Sequence, residues 1–305
     1  MYKKLSEVLL PAAENNYAVG HFNINNMEIL QAIMQAAQAQ KSPVILGTSE
    51  GAIKYAGIHF LKKIVDAAVE NYPDIPVVLH LDHGRTMSLI QACIKNGWTS
   101  IMYDGSNLSY EQNAKNTREI AQLAHEKGVS VEGELGTIGG AEDNVNAREI
   151  VYTEPEIAAK FVKQTQVDAL AIAIGTSHGA YKFAGKQQLD TGRLKVINEL
   201  ITTPLVLHGA SAVPKEIIEK AKKYGAQLEG AEGVPEEQIT RAIKNGINKI
   251  NTDTDIRLTF TATIREFLSN NPKEFDPRKI LGVAREQMQK VAEHRMQLFG
   301  SAGKI

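Results

Sequence analysis

Of the eight histidines in this 305-residue chain, three are followed directly by glycine: His83 in HLDHG, His178 in IGTSHG and His208 in LVLHG. Each stands just past an apolar run that reads as a strand. Three imidazoles converging from strand ends make a catalytic metal arrangement, with three protein ligands and a fourth tetrahedral position left open, and this ligand type points to Zn2+. Taken singly, each histidine is as well explained as a hydrogen-bonded core or loop residue. The repetition at matching positions carries the metal reading. The adjacent glycines let backbone and ligand come close where a side chain would obstruct them. His80 reads as an inward-pointing structural or orienting group, whereas His21, His59, His125 and His294 have no such company.

Carboxylates cluster at the same level: Asp82 beside His83, Asp104 at the end of TSIMYDG, and Glu132 and Glu134 in SVEGELG. Asp82 neighbours a ligand, and a carboxylate there can exchange a proton with a substrate hydroxyl; orienting a histidine is its plainer alternative. Glu132 and Glu134 share a face by the two-residue strand period, and Glu134, nearer the strand's C-terminal end, is the better metal candidate. Salt bridging or strand capping is the competing account of Asp104 and Glu134. Further on, Asn251, Thr252, Asp253 and Thr254 precede a helical segment, whose free N–H groups can cradle a phosphate. Plain N-capping explains the Asp and Thr residues almost as well. The LHGAS segment favours phosphate, because Gly209 and Ser211 supply amides and a hydroxyl beside the preceding strand. Lys182 can add charge.

These residues need a scaffold that brings many strand ends to one place. Eight strand candidates lie near residues 18–23, 43–49, 77–82, 99–104, 129–134, 169–174, 204–208 and 247–251, separated by amphipathic segments such as MEILQAIMQAAQAQ. All but AVGHFN are rich in Val, Ile or Leu without strict polar alternation, as parallel strands covered on both sides require. The expectation is α/β, a (β/α)8 TIM barrel in one domain over 1–305, with additional C-terminal helices after residue 272. An open doubly wound sheet would gather its ligand groups at one switch point; here they are spread over every strand. The Gly-rich stretch LGTIGGAEDNVN predicts a long loop and candidate lid over 135–146, and residues 212–246 hold extra helix.

Lys and Arg number 34 against 35 Asp and Glu, so no net field favours nucleic acid or an anionic membrane surface. The first twenty residues are too polar for a signal peptide or span, which predicts a cytoplasmic protein. The single cysteine, Cys93, lies on the apolar face of a predicted helix and excludes a disulfide framework.

In order, HLDHG, SIMYDGS, VEGELG, AIGTSHGAYK, LVLHGAS and NTDTDIR resemble class II fructose-bisphosphate aldolase, and the likeness runs from GHFNINN near residue 20 to GSAGKI at the C-terminus. The resemblance implies a lyase on a TIM barrel, with zinc on His83, His178 and His208 and a second divalent or monovalent cation position near Asp104 and Glu134. It implies Asp82 as acid/base at the C4 oxygen. Gly179, Lys182, Gly209, Ser211, Asn251, Asp253 and Thr254 would surround the dihydroxyacetone phosphate half of a bisphosphorylated ketose. Asn23, Ser49 and Arg257 would contact the rest, the arginine across a subunit interface in a homodimer or homotetramer. Glu142 would shuttle the proton on the three-carbon fragment. Gly105 and Asn107 stand where many members have other side chains. Relatives acting on tagatose 1,6-bisphosphate share these motifs and stay open as a reading. So do a sugar-phosphate-binding barrel holding its metal structurally and a metal-dependent hydrolase. A Schiff-base aldolase would need a buried lysine at a strand end, and none of the eight predicted strands ends in one.

Overall fold

The computed structural model describes residues 1–142, 145–147, 150–178, 188–228 and 233–305, with side chains described outside 139–142, 145–147 and 178. The strands in chain order are β1 (Val19–Asn23), β2 (Val44–Ser49), β3 (Val77–Gly84), β4 (Ser100–Tyr103), β5 (Ser130–Leu135), β6 (Gly139–Glu142), β7 (Val145–Ala147), β8 (Ala169–Ile172), β9 (Ser177–His178), β10 (Leu205–Leu207) and β11 (Ile247–Thr252). Eight of them close a barrel in the order β1-β11-β10-β8-β5-β4-β3-β2, every pairing parallel. The (β/α)8 expectation is met, and each of the eight predicted strands falls on a barrel strand.

All eight barrel strands are buried along their length, which is why their sequences run apolar instead of alternating. Their outward residues, among them Phe22, Leu46, Leu79, Leu81, Ile101 and Val131, pack under the helices on one flank. Leu170, Ile172, Leu205, Leu207 and Ile250 do the same on the other. The inward set divides into two zones. Val19, Ile45, Val78, Met102, Ala169, Ala171 and Val206 form an apolar layer with Leu5, Val8, Leu9 and Ala12 of the helix Leu5–Glu14. That helix plugs the N-terminal end, each large side chain contributing about 1.5–3 kcal/mol on burial. Two residues further along the strands the inward positions turn polar, and these build the site.

The 135–146 stretch departs from the expected plain loop. It contains β6 and β7, an antiparallel pair with Glu142 opposite Val145, and β6 also pairs in parallel with β9, His178 opposite Gly140. Glycine, alanine and polar residues in strands this short leave no hydrophobic run to find. The extra helices expected in 212–246 are Lys215–Lys223 and Glu236–Lys244. The C-terminal helix is Pro277–Leu298, which lies against Met27–Gln40 and Thr254–Asn270. Among the described residues no helix is long and apolar enough to cross a membrane. Cys93 is buried as expected, and burial, with the Glu50 charge, pushes its thiol up to about 12.

Candidate active site

The last residues of β3 place Asp82 and His83 at the C-terminal mouth, and His83 does so at a cost. Its φ of 46° is in the left-handed region, inside a strand, where a non-glycine residue is strained. Lys41 and Gln166, also at positive φ, merely end helices. His83 Nε2 comes to 2.9 Å from Nδ1 of His208, just past β10, and the rings meet edge to face with centroids 4.6 Å apart.

The outer partners decide which nitrogens carry protons. Glu132 Oε1, on β5, lies 2.8 Å from His208 Nε2, so that nitrogen donates and Nδ1 keeps a lone pair. On His83, Asp104 Oδ2 sits 3.2 Å and Glu134 Oε2 3.5 Å from Nδ1, so Nδ1 donates there and Nε2 is turned to His208. Two lone pairs cannot face each other at 2.9 Å without a cation between them. A proton shared between the rings is one such cation. Burial disfavours the charged ring, but Asp82, Asp104 and Glu134 outweigh it and raise His83 to about 10. A metal ion would take the proton's place, and Asp82, His83 and His208 offer ligand atoms all within 4.8 Å of one another. The donor set fits a metal.

A second group, His83, Asp104 and Glu134, meets the same criterion. Burial raises Glu134 well above the usual carboxylate range, with Asp104 and Glu132 adding to it; among the described residues its Oε2 makes no hydrogen bond and has only the looser 3.5 Å ion pair with His83. Asp104 goes the other way. Burial would raise it, but His83, Ser106 and Arg85 hold it well below, with Arg85 Nη2 at 2.7 Å and Ser106 Oγ at 2.6 Å.

Asp82 is gripped from both sides. Asn23 Nδ2 donates to Oδ2 at 2.8 Å and Asn251 Nδ2 to Oδ1 at 3.1 Å. Despite burial, the neighbouring imidazoles of His21, His83 and His208 and the ammonium of Lys249 hold its carboxyl well below the usual range, so it is ionised and able to accept a proton. Ser49 lies opposite Asp82 in the β2–β3 register, and its Oγ caps the helix Glu50–Ala56 through Ala52 N–H.

At the anion end the predicted residues divide. Asn251 turns into the barrel toward Asp82, His208 and Lys249, while Asp253 and Thr254 stand at the start of the helix Thr254–Asn270. Arg257 pairs with Asp253 through Nε at 2.8 Å and Nη2 at 2.7 Å, which offsets a cation in a first turn. Gly209, at φ 63°, lies so close to the Ser177 backbone that a Cβ would meet its carbonyl oxygen at 2.7 Å. Glycine there lets the His178 segment lie beside the end of β10. Of His178 and Glu142 the structure describes the backbone, in β9 and β6, and Gly179 and Lys182 lie outside the described residues.

Two inward residues escaped the sequence reading. His21 is fully buried, its Nε2 3.9 Å from Asp82, against the expectation that it has no company. A Cβ on Gly47 would strike its ring. Lys249 is fully buried in β11, its Nζ 2.9 Å from Glu132 Oε2 and 2.8 Å from Asn251 Oδ1. Period two held the signal: His21, His80, Glu132 and Lys249 each stand two residues before Asn23, Asp82, Glu134 and Asn251. His80 does point inward, with Nδ1 2.8 Å from Ser100 Oγ. His125 and His294 pair at the surface with Asp168 and Glu236.

The family model for "Fructose-bisphosphate aldolase class-II" matches residues 3–228 and 227–304. Fructose-bisphosphate aldolase of Thermus caldophilus is 48% identical over 300 residues, covering 98% of each chain. That of Helicobacter pylori strain 26695 is 45% identical over 307 residues, covering 100% of each. The crystal structure of the YdjI aldolase from Escherichia coli K12 superposes with a TM-score of 0.82 at 30% identity, covering 100% of this chain and 99% of that one. With the barrel, the paired imidazoles and the carboxylate beside them, these likenesses agree: the chain belongs to the class II fructose-bisphosphate aldolase family.

Proposed function

We propose that this chain, as one domain over 1–305, is a zinc-dependent aldolase. It cleaves D-fructose 1,6-bisphosphate reversibly to dihydroxyacetone phosphate and D-glyceraldehyde 3-phosphate, serving glycolysis and gluconeogenesis in the cytoplasm. The observation that carries the reading is the 2.9 Å approach of His83 Nε2 to His208 Nδ1 beside an ionised Asp82. His178 would supply the third ligand, its strand β9 following directly on the barrel's sixth strand, β8. Asp104 and Glu134 support a second cation position on the far side of His83.

When bound, Zn2+ supplies Lewis-acid polarisation of the C2 carbonyl and stabilises the negative charge that C3–C4 cleavage leaves on the three-carbon fragment. Asp82 takes the C4 hydroxyl proton in cleavage and returns it in synthesis. Asn23 and Asn251 each hold one of its oxygens, so the carboxylate cannot rotate away from that proton. Glu132, itself neutralised by Lys249, holds the His208 tautomer. Gly179, Lys182, Gly209, Ser211, Asp253 and Thr254 would grip the phosphate of the dihydroxyacetone half, and Ser49 and Arg257 the remainder. Arg257, paired with Asp253 but 40% exposed at its side chain, would contact an anion from a neighbouring subunit of a homodimer or homotetramer. Two grips on one chain of carbons hold the breaking bond in place. Glu142, on the hairpin tied to β9, would return a proton to the three-carbon fragment as the hairpin excludes water.

The Schiff-base reading now has a buried lysine to consider. Lys249 is committed to Glu132 and Asn251, which favours an orienting cation over a nucleophile. The deciding experiment measures cleavage of fructose and tagatose 1,6-bisphosphates before and after chelation, with borohydride added during turnover. The proposal expects preference for the fructose epimer, loss of activity on chelation, return with Zn2+ and no trapped adduct. Activity that survives chelation, or an adduct on Lys249, would refute it.

A further inference from the structure

Arg295, on the C-terminal helix Pro277–Leu298, is not among the site residues the sequence singled out. It is 1% exposed, and among the described residues it is one of the largest fully buried side chains. Its guanidinium contacts three segments that are distant in sequence. Nε donates to Asp255 Oδ2 at 2.8 Å, Nη1 to Glu236 Oε1 at 2.6 Å and Nη2 to the Ala212 carbonyl at 2.5 Å. Asp255 follows Thr254, and Ala212 follows Ser211. One planar cation therefore joins the residue after each of the two segments assigned to the phosphate.

From these contacts we infer that Arg295 is the positioning residue that sets the distance and angle between the two halves of the phosphate cradle, and hence the affinity for the three-carbon ketose phosphate. The inference rests on the reading of Ser211 and Thr254 given above. The energetics favour it over a purely stabilising role. Desolvating Arg295 and the fully buried Asp255 is expensive, and well-packed apolar residues would hold two helices together at least as well. An ion pair adds direction. The guanidinium is a rigid planar fork, so carboxylates and a carbonyl bonded to its separate edges are fixed relative to one another in a way that an ammonium on a flexible stem does not reproduce.

The loop is also held from its other side. Val234 N–H donates to the Ser211 carbonyl at 3.0 Å, and a Cβ on Gly233 would stand 2.6 Å from Ala212 Cα. Two residues further on, Glu236 opens the helix Glu236–Lys244 and receives both Arg295 and His294. The Ser211–Ala212 segment is thus sandwiched between a close backbone contact and a buried cation. What remains for Arg295 to set is its spacing from the Thr254 helix.

The test uses the full-length, metal-loaded enzyme. Arg295→Lys keeps the charge and loses the fork. Its Kd for dihydroxyacetone phosphate, by calorimetry, should rise about tenfold to a hundredfold, the scale on which a misplacement of about an ångström acts. KM for fructose 1,6-bisphosphate should rise with it, while kcat and metal content stay close to the parent. Glu236→Gln is milder, its side chain being 43% exposed, and it keeps the test open if Arg295→Lys does not fold; about threefold weaker binding is expected. A lowered melting temperature with both Kd values within about twofold of the parent would overturn the positioning role. Ser211→Ala and Thr254→Ala separate the two levels of argument. If they weaken binding while Arg295→Lys and Glu236→Gln do not, the clamp is wrong and the phosphate reading stands. If none of the four weakens it, the phosphate reading fails and takes the clamp with it.

Discussion

At the N-terminal end of the barrel, Val19, Val78 and Val206 point inward and meet Leu5, Leu9 and Ala12 of the first helix. Two residues along the same strands, the inward positions are His21, His80 and His208, with Glu132 and Lys249 from neighbouring strands. The closed end is made of groups that gain by leaving water. The open end holds charges that lose solvation and must find partners or a ligand. Among the described residues, both ring nitrogens of His21 and Oε2 of Glu134 make no hydrogen bond. Unsatisfied polar atoms of this kind cost about 1–3 kcal/mol each. The apolar end stabilises a barrel whose other end is kept for chemistry, the division of labour this architecture shows generally.

The comparison can be broken most directly at His208. His208→Ala removes a proposed ligand and should lower kcat/KM by at least about a thousandfold, several kcal/mol of lost charge stabilisation. Metal content should fall while far-UV circular dichroism stays that of a folded barrel. Full metal with normal turnover would end the assignment. Asp82→Ala is next, with turnover down about 100- to 10,000-fold but metal retained and dihydroxyacetone phosphate still bound. If turnover stays within about threefold of the parent, another group carries the proton.

At the closed end the signature reverses. Leu9→Ala opens a cavity under the plug and should cost about 2–5 kcal/mol in denaturant unfolding, with kcat/KM of the folded fraction unchanged. A large catalytic loss there would mean that the two ends are not independent. The smallest effect is one of pH. Asp66 accepts from the Tyr2 hydroxyl at 2.8 Å and pairs with Lys62. Burial would raise its carboxyl, but those hydrogen bonds hold it below the ordinary value. Its folded pKa is depressed, so its contribution is present above the unfolded value near 3.8 and is lost as pH falls through the lower folded one. Asp66→Asn should lower stability at pH 7 by no more than about 1 kcal/mol, and the gap between parent and variant should shrink as pH falls below 3.8. A gap that does not shrink on acidification would show that the effect is not electrostatic.

Much of this molecule follows from its sequence alone. Continuous Val, Ile and Leu runs specify buried parallel strands because only a strand covered on both faces tolerates apolar residues at every position, so seven of the eight were legible, and AVGHFN took its place by count. The barrel puts the proposed catalytic groups, Asp82 and the histidines of the His-Gly pairs, at or just past strand ends, where the apolar runs stop. The tertiary structure decided what depends on closure and on directions in space. Asn251, read with the phosphate residues, turns inward to Asp82 because β11 pairs with β1 and β10 and sets its facing. The β6–β7 hairpin was invisible because its pairing with β9 joins residues nearly forty positions apart through short, glycine-rich strands with no hydrophobic period. Neither Lys249 nor Arg295 falls in a motif that marks it for chemistry. Their burial is a property of three or more segments meeting at once, and no local pattern encodes where a distant carboxylate will be.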